Sequence, residues 1–184
     1  MLQQPRRVTV VGGSLAGLRA AEALRSNGFD GSVRIVSGED HLPFDRPPLS
    51  KQVLAGKWEP EQARLRGGAE VDAEWLLGRR ATSLDLATHT VTLDDGARLD
   101  GDGVVIATGA VPRRLPEAMA PASLTGVHVL RSMDDCLALR SELAQGPRLV
   151  VIGAGFIGGE VAATARSLGV EVTILEALPI PLER

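Results

Sequence analysis

A strand, a glycine-rich turn, a helix and a second strand that ends near an acidic residue occur twice in this chain of 184 residues. The first copy spans residues 7–39 and the second spans residues 148–176. Short β-branched runs before each turn predict buried strands, and Gly28 and Gly169 predict the ends of the two helices. This order predicts an α/β fold built from two Rossmann-like units.

Each turn follows the dinucleotide-binding pattern G-x-G-x-x-G. Its first glycine permits the tight turn, the second lets a pyrophosphate approach the backbone, and the third lets the helix pack on the strand. The phosphates then lie at the positive end of the helix. The second copy has all three glycines, Gly153, Gly155 and Gly158. The first copy has Gly12 and Gly17 but carries Ser14 in the middle, where a Cβ narrows the approach to phosphate.

An acidic residue about 20 residues after the last glycine accepts hydrogen bonds from a ribose in this pattern. Glu39 and Glu176 lie in that region of the two copies. A carboxylate there would repel the 2′-phosphate of NADPH, so Glu176 favours NADH. The chain therefore predicts two separate dinucleotide sites.

The stretch between the two copies is rich in short strand patterns, which we expect over residues 84–86, 89–93, 97–99 and 103–106. His89 and His128 lie in strand-like contexts and are expected to be structural. Pro112 and Pro116 indicate a linker, so we expect one domain over 1–112 and the start of another over 113–184.

Ser132 and Asp135 form the pattern of a capping box, which predicts a helix over about 132–144. That helix carries Cys136, which we expect to be a small buried residue.

Composition excludes several classes of function. The net charge of −3 and an aromatic content of 3%, without tyrosine, argue against nucleic-acid binding. The single cysteine excludes an internal disulfide and a CxxC redox pair, and three histidines add too little for a metal cluster. Since no apolar run is long enough for a membrane span, we expect a cytoplasmic protein.

The chain resembles the FAD-dependent, NADH-dependent ferredoxin reductases, of the putidaredoxin and rubredoxin reductase type within the pyridine nucleotide-disulfide oxidoreductase superfamily. Four segments carry the resemblance, over residues 10–17, 43–51, 105–109 and 151–160. The run Arg-Pro-Pro-Leu-Ser-Lys at 46–51 is the most specific of them. Without the resemblance, the same loop could be a proline-rich turn with two solvated cations.

The resemblance implies that the first copy binds FAD, in a first domain segment over 1–112, and that the second begins an NADH-binding domain over 113–184. The residues implied for FAD are Gly12, Ser14, Leu15, Ala16, Gly17, Glu39, Arg46, Lys51, Ala81, Ala107, Thr108, Gly109 and Arg131. Those implied for NADH are Gly153, Gly155, Phe156, Ile157, Gly158, Glu160 and Glu176. Lys51 and Glu160 are also implied in catalysis. A lysine beside the flavin can stabilise negative charge on the reduced ring, and Glu160 matches the glutamate that faces the nicotinamide.

The absence of a cysteine beside Phe44, Asp45 and Arg46 distinguishes the chain from flavoenzymes that pass electrons through a thiol in that loop. The resemblance therefore implies transfer from NADH through FAD to a ferredoxin-type iron–sulfur protein that feeds a monooxygenase or dioxygenase. Two alternatives stay open: another acceptor such as oxygen, a quinone or nitrite-reductase machinery, and an inactive truncated fragment. Since family members continue beyond the second copy, we expect a piece of a larger reductase that alone binds FAD weakly and does not turn over.

Overall fold

The computed structural model describes residues 6–121 and 123–182, which form two compact units. The first unit comprises the chain up to Phe44 together with Arg64–Ala110. The second comprises Asp45–Ala63 together with the chain from Val111 onward. The segment that follows Phe44 therefore groups with residues much later in the sequence.

The first unit contains one helix and most of the strands. Its elements are β1 (Arg7–Val11), α1 (Leu15–Ser26), β2 (Ser32–Val36), β3 (Glu74–Leu76), β4 (Ala81–Asp85), β5 (Thr90–Leu93), β6 (Arg98–Leu99) and β7 (Gly103–Ile106). A parallel sheet has the order β3-β2-β1-β7, with α1 as the crossover between β1 and β2. Its core consists of alternate strand residues and one helix residue, Val8, Val10, Val33, Ile35 and Ala21.

An antiparallel sheet of order β4-β5-β6 follows in the same unit and packs around Val36, Val91 and Leu93. The strands expected over 84–86 and 89–93 are present as β4 and β5, but their bounds differ. The expected strand context of His89 is wrong, because His89 lies in the connecting turn with a φ of +52°. A reversal this short needs a residue in the left-handed region, which a strand excludes.

The second unit begins with two 3-10 helices, Pro47–Ser50 and Pro60–Ala63. It continues with α2 (Met133–Leu143), β8 (Arg148–Ile152), α3 (Phe156–Ser167) and β9 (Glu171–Leu175). β8 pairs in parallel with β9 from Arg148 opposite Glu171 to Ile152 opposite Leu175, as β1 pairs with β2 in the first unit. The predicted repeat and the α/β fold class are therefore confirmed.

The helix ends follow the local signals in the sequence. Gly28 and Gly169 lie just past the ends of α1 and α3 with φ values of +81° and +85°, the conformation of a terminating glycine. The capping box of α2 is present: the Ser132 hydroxyl accepts from the Asp135 N–H at 3.1 Å, and the Asp135 carboxylate accepts from the Ser132 N–H at 2.8 Å. Within the described ranges, no helix has both the length and the apolar character needed to cross a membrane.

Candidate functional site

The last glycine of each turn lies where the helix meets the preceding strand. A Cβ added to Gly17 would lie 1.8 Å from the carbonyl oxygen of Gly12. One added to Gly158 would lie 2.1 Å from the carbonyl oxygen of Gly153. Both distances are far inside van der Waals contact, so the close packing that the third glycine allows is present in both copies.

The first glycine of each turn begins the reversal. Gly12 and Gly153 have φ values of +123° and +102°, which a side chain disfavours. Each donates its N–H to the last residue of the neighbouring strand, Gly12 to Val36 and Gly153 to Leu175, both at 2.8 Å. The two turns therefore share their backbone hydrogen bonding as well as their sequence pattern.

The middle position of each turn is the residue before the helix. Ser14 and Gly155 both have extended backbones there, so Leu15 and Phe156 begin α1 and α3. A Cβ on Gly155 would meet nothing within 4 Å among the described residues, which leaves the backbone amides at the start of α3 approachable. In the part of the chain that the structure describes, no side chain caps α1 or α3 and neither first turn holds an acidic residue. Both helix starts therefore fit an anionic pyrophosphate.

Ala107, Thr108 and Gly109 continue from β7 beside the first turn. The Ala107 N–H donates to the Val11 carbonyl at 2.8 Å, and a Cβ on Gly12 would lie 2.1 Å from the Ala107 carbonyl oxygen. Ala81 begins β4 and packs against the cluster of Val36, Val91 and Leu93.

The two acidic residues do not lie at equivalent positions. Glu176 directly follows β9, and its carboxylate accepts from the N–H of Ala154, inside the second turn, at 2.6 Å. In the first unit it is Ser37 that directly follows β2 and faces the turn, because a Cβ on Gly13 would lie 2.4 Å from the Ser37 Cβ. Glu39 lies two residues further, with its N–H bonded to the Ser37 hydroxyl at 3.2 Å. The number of residues between the last glycine and the acidic residue did not reveal that Glu39 lies beyond the strand end, because the connection from α1 to β2 is also longer than the one from α3 to β9.

In the second unit, Lys51 and Glu160 form an ion pair with 2.7 Å between Nζ and Oε2. Ser50 donates its hydroxyl to the same Oε2 at 2.5 Å. Lys51 follows the first 3-10 helix, and Glu160 lies in α3, so two predicted catalytic residues from distant segments meet. The hydrogen bonds from Lys51 and Ser50 hold the pKa of the Glu160 carboxyl below its ordinary value. Ser50 was not predicted as a site residue, although it lies beside Lys51 in the Arg-Pro-Pro-Leu-Ser-Lys run at 46–51 that carries the resemblance.

The ion pair lies in a cleft of about 260 Å³ within the second unit. Its lining includes most of the residues predicted there, Arg46, Lys51, Arg131, Phe156, Ile157 and Glu160. The Arg46 guanidinium donates to the Arg131 carbonyl, and this bond joins the Arg-Pro-Pro-Leu-Ser-Lys run at 46–51 to the segment just before α2. Phe156 lines the cleft and is 77% exposed. Three cations against one carboxylate make the cleft suited to stabilising negative charge on a planar group.

Cys136 is fully buried in α2, as expected, and its Sγ donates to the Leu49 carbonyl at 3.1 Å. Burial raises the pKa of the Cys136 thiol to about 11. A thiol in this environment is a structural residue and not a redox centre.

Comparison with known proteins identifies the family. The sequence profile of the pyridine nucleotide-disulphide oxidoreductase family matches residues 6–184. The chain is 44% identical over 172 residues to the ferredoxin reductase component of chlorobenzene dioxygenase from Cupriavidus sp. strain PS12, which covers 92% of this chain and 42% of that protein. It is 40% identical over 181 residues to putidaredoxin reductase from Pseudomonas putida, which covers 96% of this chain and 43% of that one.

A solved structure agrees with these relatives. The crystal structure of the covalent putidaredoxin reductase–putidaredoxin complex superposes with a TM-score of 0.85 at 38% identity, over 97% of this chain and 44% of that chain. The chain thus spans less than half the length of the relatives that it matches. With its two glycine turns, its Lys51–Glu160 pair and these similarities, the chain belongs to the pyridine nucleotide-disulphide oxidoreductase family.

Proposed function

We propose that this chain is the nucleotide-binding part of a flavoprotein reductase that passes electrons from NADH through FAD to a ferredoxin-type iron–sulfur protein. That protein would in turn feed a monooxygenase or dioxygenase, and the ferredoxin reductase component of chlorobenzene dioxygenase is a relative of the second kind. The observation that carries the proposal is the Lys51–Glu160 pair. It joins the loop implied for the flavin to the helix implied for NADH.

The residues fit the two cofactors. At the first turn, the FAD pyrophosphate would bind at the start of α1, beside the segment Ala107–Gly109. At the second turn, the NADH pyrophosphate would bind at the open position next to Gly155. Bound FAD supplies the conversion between two-electron and one-electron transfer. The domain division of 1–112 for FAD and 113–184 for NADH stays part of this proposal, with Asp45–Ala63 grouping in the second unit.

Lys51 and Glu160 have separate tasks in this proposal. The Lys51 ammonium stabilises negative charge on a reduced ring, and it needs no proton transfer to do so. Glu160 holds that ammonium in place through the 2.7 Å contact, and Ser50 donates to the same oxygen and orients the carboxylate. Hydride transfer requires alignment of two rings more than a general base, so these residues align and stabilise.

Glu176 favours NADH over NADPH as the electron donor. Its carboxylate lies at the second turn, bonded to the Ala154 N–H, where it would repel a 2′-phosphate. A cytoplasmic location is also proposed, because a reductase of this kind draws on NADH.

Because the chain spans less than half the length of its relatives and is expected alone to bind FAD weakly and not to turn over, the experiment uses a reductase of the relatives' length that contains it. This protein is combined with FAD, NADH and a plant-type or putidaredoxin-type [2Fe–2S] ferredoxin under anaerobic conditions. Bleaching of the ferredoxin absorbance measures electron transfer, and NADPH replaces NADH in a parallel reaction. We expect bleaching with NADH, at a rate at least about tenfold lower for Lys51→Met. Lys57→Met is the matched control, because Lys57 is the other lysine of the chain and is exposed.

Three results would contradict the proposal. Reduction of FAD without reduction of any ferredoxin would favour another acceptor, and parallel reactions with oxygen or with a quinone in place of ferredoxin would identify it. Binding of FAD and NADH without reduction of the flavin would favour an inactive nucleotide-binding fragment. Equal rates for Lys51→Met and Lys57→Met would remove Lys51 from the mechanism.

A further inference from the structure

The 3-10 helix Pro47–Ser50 ends immediately before Lys51. The carbonyl groups at the end of any helix lack partners within it and must be bonded from elsewhere. Here two consecutive carbonyls, those of Leu49 and Ser50, accept hydrogen bonds from buried side chains. The donors are Cys136 Sγ at 3.1 Å and Thr164 Oγ1 at 2.7 Å.

Each donor comes from a different helix of the second unit. Cys136 lies in α2 and is fully buried, and Thr164 lies in α3 with 9% of its surface exposed. A threonine within a helix commonly bonds back to a carbonyl of its own helix. Thr164 instead donates to a segment more than a hundred residues away in sequence. Its hydroxyl therefore fixes the backbone of Ser50 against α3.

Thr164 lies one helical turn after Glu160 on the same face of α3. This face therefore makes three contacts with two consecutive residues: Thr164 with the Ser50 carbonyl, and Glu160 with the Ser50 hydroxyl and the Lys51 ammonium. The ion pair is 38% exposed on both sides, and pairs so exposed are weak and mobile when nothing else holds their backbones. The Thr164 bond is buried and is held by a rigid helix.

We propose that Thr164 is the positioning residue of this site, which fixes the Ser50–Lys51 backbone on α3 so that Lys51 meets Glu160. Cys136 supports the same 3-10 helix from α2. The positioning of Lys51 by Thr164 follows from these contacts, and only the importance of that positioning for electron transfer rests on the proposed function.

The test compares Thr164→Val, which keeps the shape and removes the donor, with Thr164→Ser, which keeps the donor. In the 184-residue chain, carbon-13 NMR follows the Glu160 carboxyl against pH, with Glu160→Gln used to assign the signal. We expect the Glu160 titration to move up toward the ordinary glutamate range in Thr164→Val and to stay near the wild type in Thr164→Ser. Thr164→Val should fold, because the Cys136 bond still holds the 3-10 helix.

A titration in Thr164→Val that coincides with the wild type would overturn the proposal. A second measurement on the unmodified chain does not depend on the variant folding. The Thr164 hydroxyl proton should exchange slowly with water and show a nuclear Overhauser effect to the Lys51 amide, since it lies in a buried bond to the preceding carbonyl. Rapid exchange of the Thr164 hydroxyl proton in a chain whose Glu160 pKa is still lowered would also overturn the proposal. Neither measurement uses a nucleotide or a ferredoxin, so failure of the proposed function leaves both readings intact.

Discussion

Two glycines of the second turn have different roles, since one allows the helix to pack closely and the other leaves room for a ligand. Gly158 and Gly155 belong to the same motif but differ in the space around them. A Cβ added to Gly158 would lie 2.1 Å from the Gly153 carbonyl oxygen, whereas a Cβ added to Gly155 would meet nothing within 4 Å. We expect Gly158→Ala to lower the free energy of unfolding by about 1–3 kcal/mol, the range for overpacking. Gly155→Ala should cost at most about 1 kcal/mol, the part that comes from replacing a glycine N-cap with alanine.

Urea denaturation of both variants measures this difference, and titration with NADH completes the comparison. Gly155→Ala should weaken NADH binding while the fold is retained, because the added methyl narrows the approach to the phosphate. Equal destabilisation by the two substitutions would contradict the assignment of separate roles to the two glycines.

The charge of Glu160 makes a pH-dependent contribution to stability. Since the hydrogen bonds from Lys51 and Ser50 lower the pKa of Glu160 in the folded chain, its contribution is fully present above the unfolded value of about 4.5 and is lost as pH falls through the folded value. We expect Glu160→Gln to reduce the free energy of unfolding by at most about 1 kcal/mol at pH 7, because water screens this exposed pair.

Urea denaturation at a series of pH values between neutrality and the acid range checks the sign. The gap between wild type and Glu160→Gln should narrow as pH falls. Glu70→Gln, at an exposed position, controls for the loss of one negative charge. A gap that widens toward acid pH, or one that Glu70→Gln reproduces, would contradict the prediction.

At the scale of elements, the capping box of α2 fixes both the helix and a wall of the cleft. The Asp135 carboxylate accepts from the N–H groups of Arg131 and Ser132, and the Arg131 carbonyl in turn accepts from Arg46. We expect Ser132→Ala to lower the free energy of unfolding by about 0.5–2 kcal/mol, the range for lost N-caps. Ser141→Ala, on the exposed side of the same helix, should be neutral or slightly stabilising.

Denaturation of the two serine variants under the same conditions measures the cap. If Ser141→Ala proved as costly as Ser132→Ala, general damage to α2 and not the cap would explain the loss.

Elements that depend on neighbours in sequence were predictable. Gly28 and Gly169 marked helix ends, and Ser132 with Asp135 marked a helix start, because each signal acts within one turn of backbone. His89 was placed wrongly because a polar residue between two β-rich runs fits either a strand or the turn that joins them.

Contacts between distant segments could not be predicted from local pattern. The pairing of Lys51 with Glu160 joins residues 109 positions apart, and it was implied by resemblance without its geometry. Ser50 belongs to the Arg-Pro-Pro-Leu-Ser-Lys run at 46–51, but no local pattern marked its hydrogen bond or that of Thr164, since these partners are set by how the 3-10 helix packs on α3. The position of Ser37 in place of an acid at the first turn depends equally on packing against Gly13.

At the scale of the whole molecule, the chain carries one spectroscopic reporter in each compact unit. Trp75 lies in the first unit and Trp58 in the second, and these are the two tryptophans of the sequence. Cys136, the single cysteine, lies in the second unit and is fully buried. Its burial raises its pKa to about 11, so at pH 8 the folded chain holds it as the unreactive thiol. Thiol labelling should therefore report unfolding of the second unit.

We expect Cys136 to resist an aromatic disulfide reagent in native buffer and to react with one equivalent in denaturant. Across a urea series, its labelling should follow the fluorescence transition of Trp75→Phe, in which Trp58 remains as the reporter of the second unit. Ser141→Cys in a Cys136→Ala background places a thiol on the exposed face of the same helix and should react at once. Labelling of Cys136 at urea concentrations where Trp58 is still native-like would show that α2 opens locally. In that case the buried bond to Leu49 does not bind α2 to the rest of its unit, and the support that we assign to Cys136 beneath Lys51 would be lost.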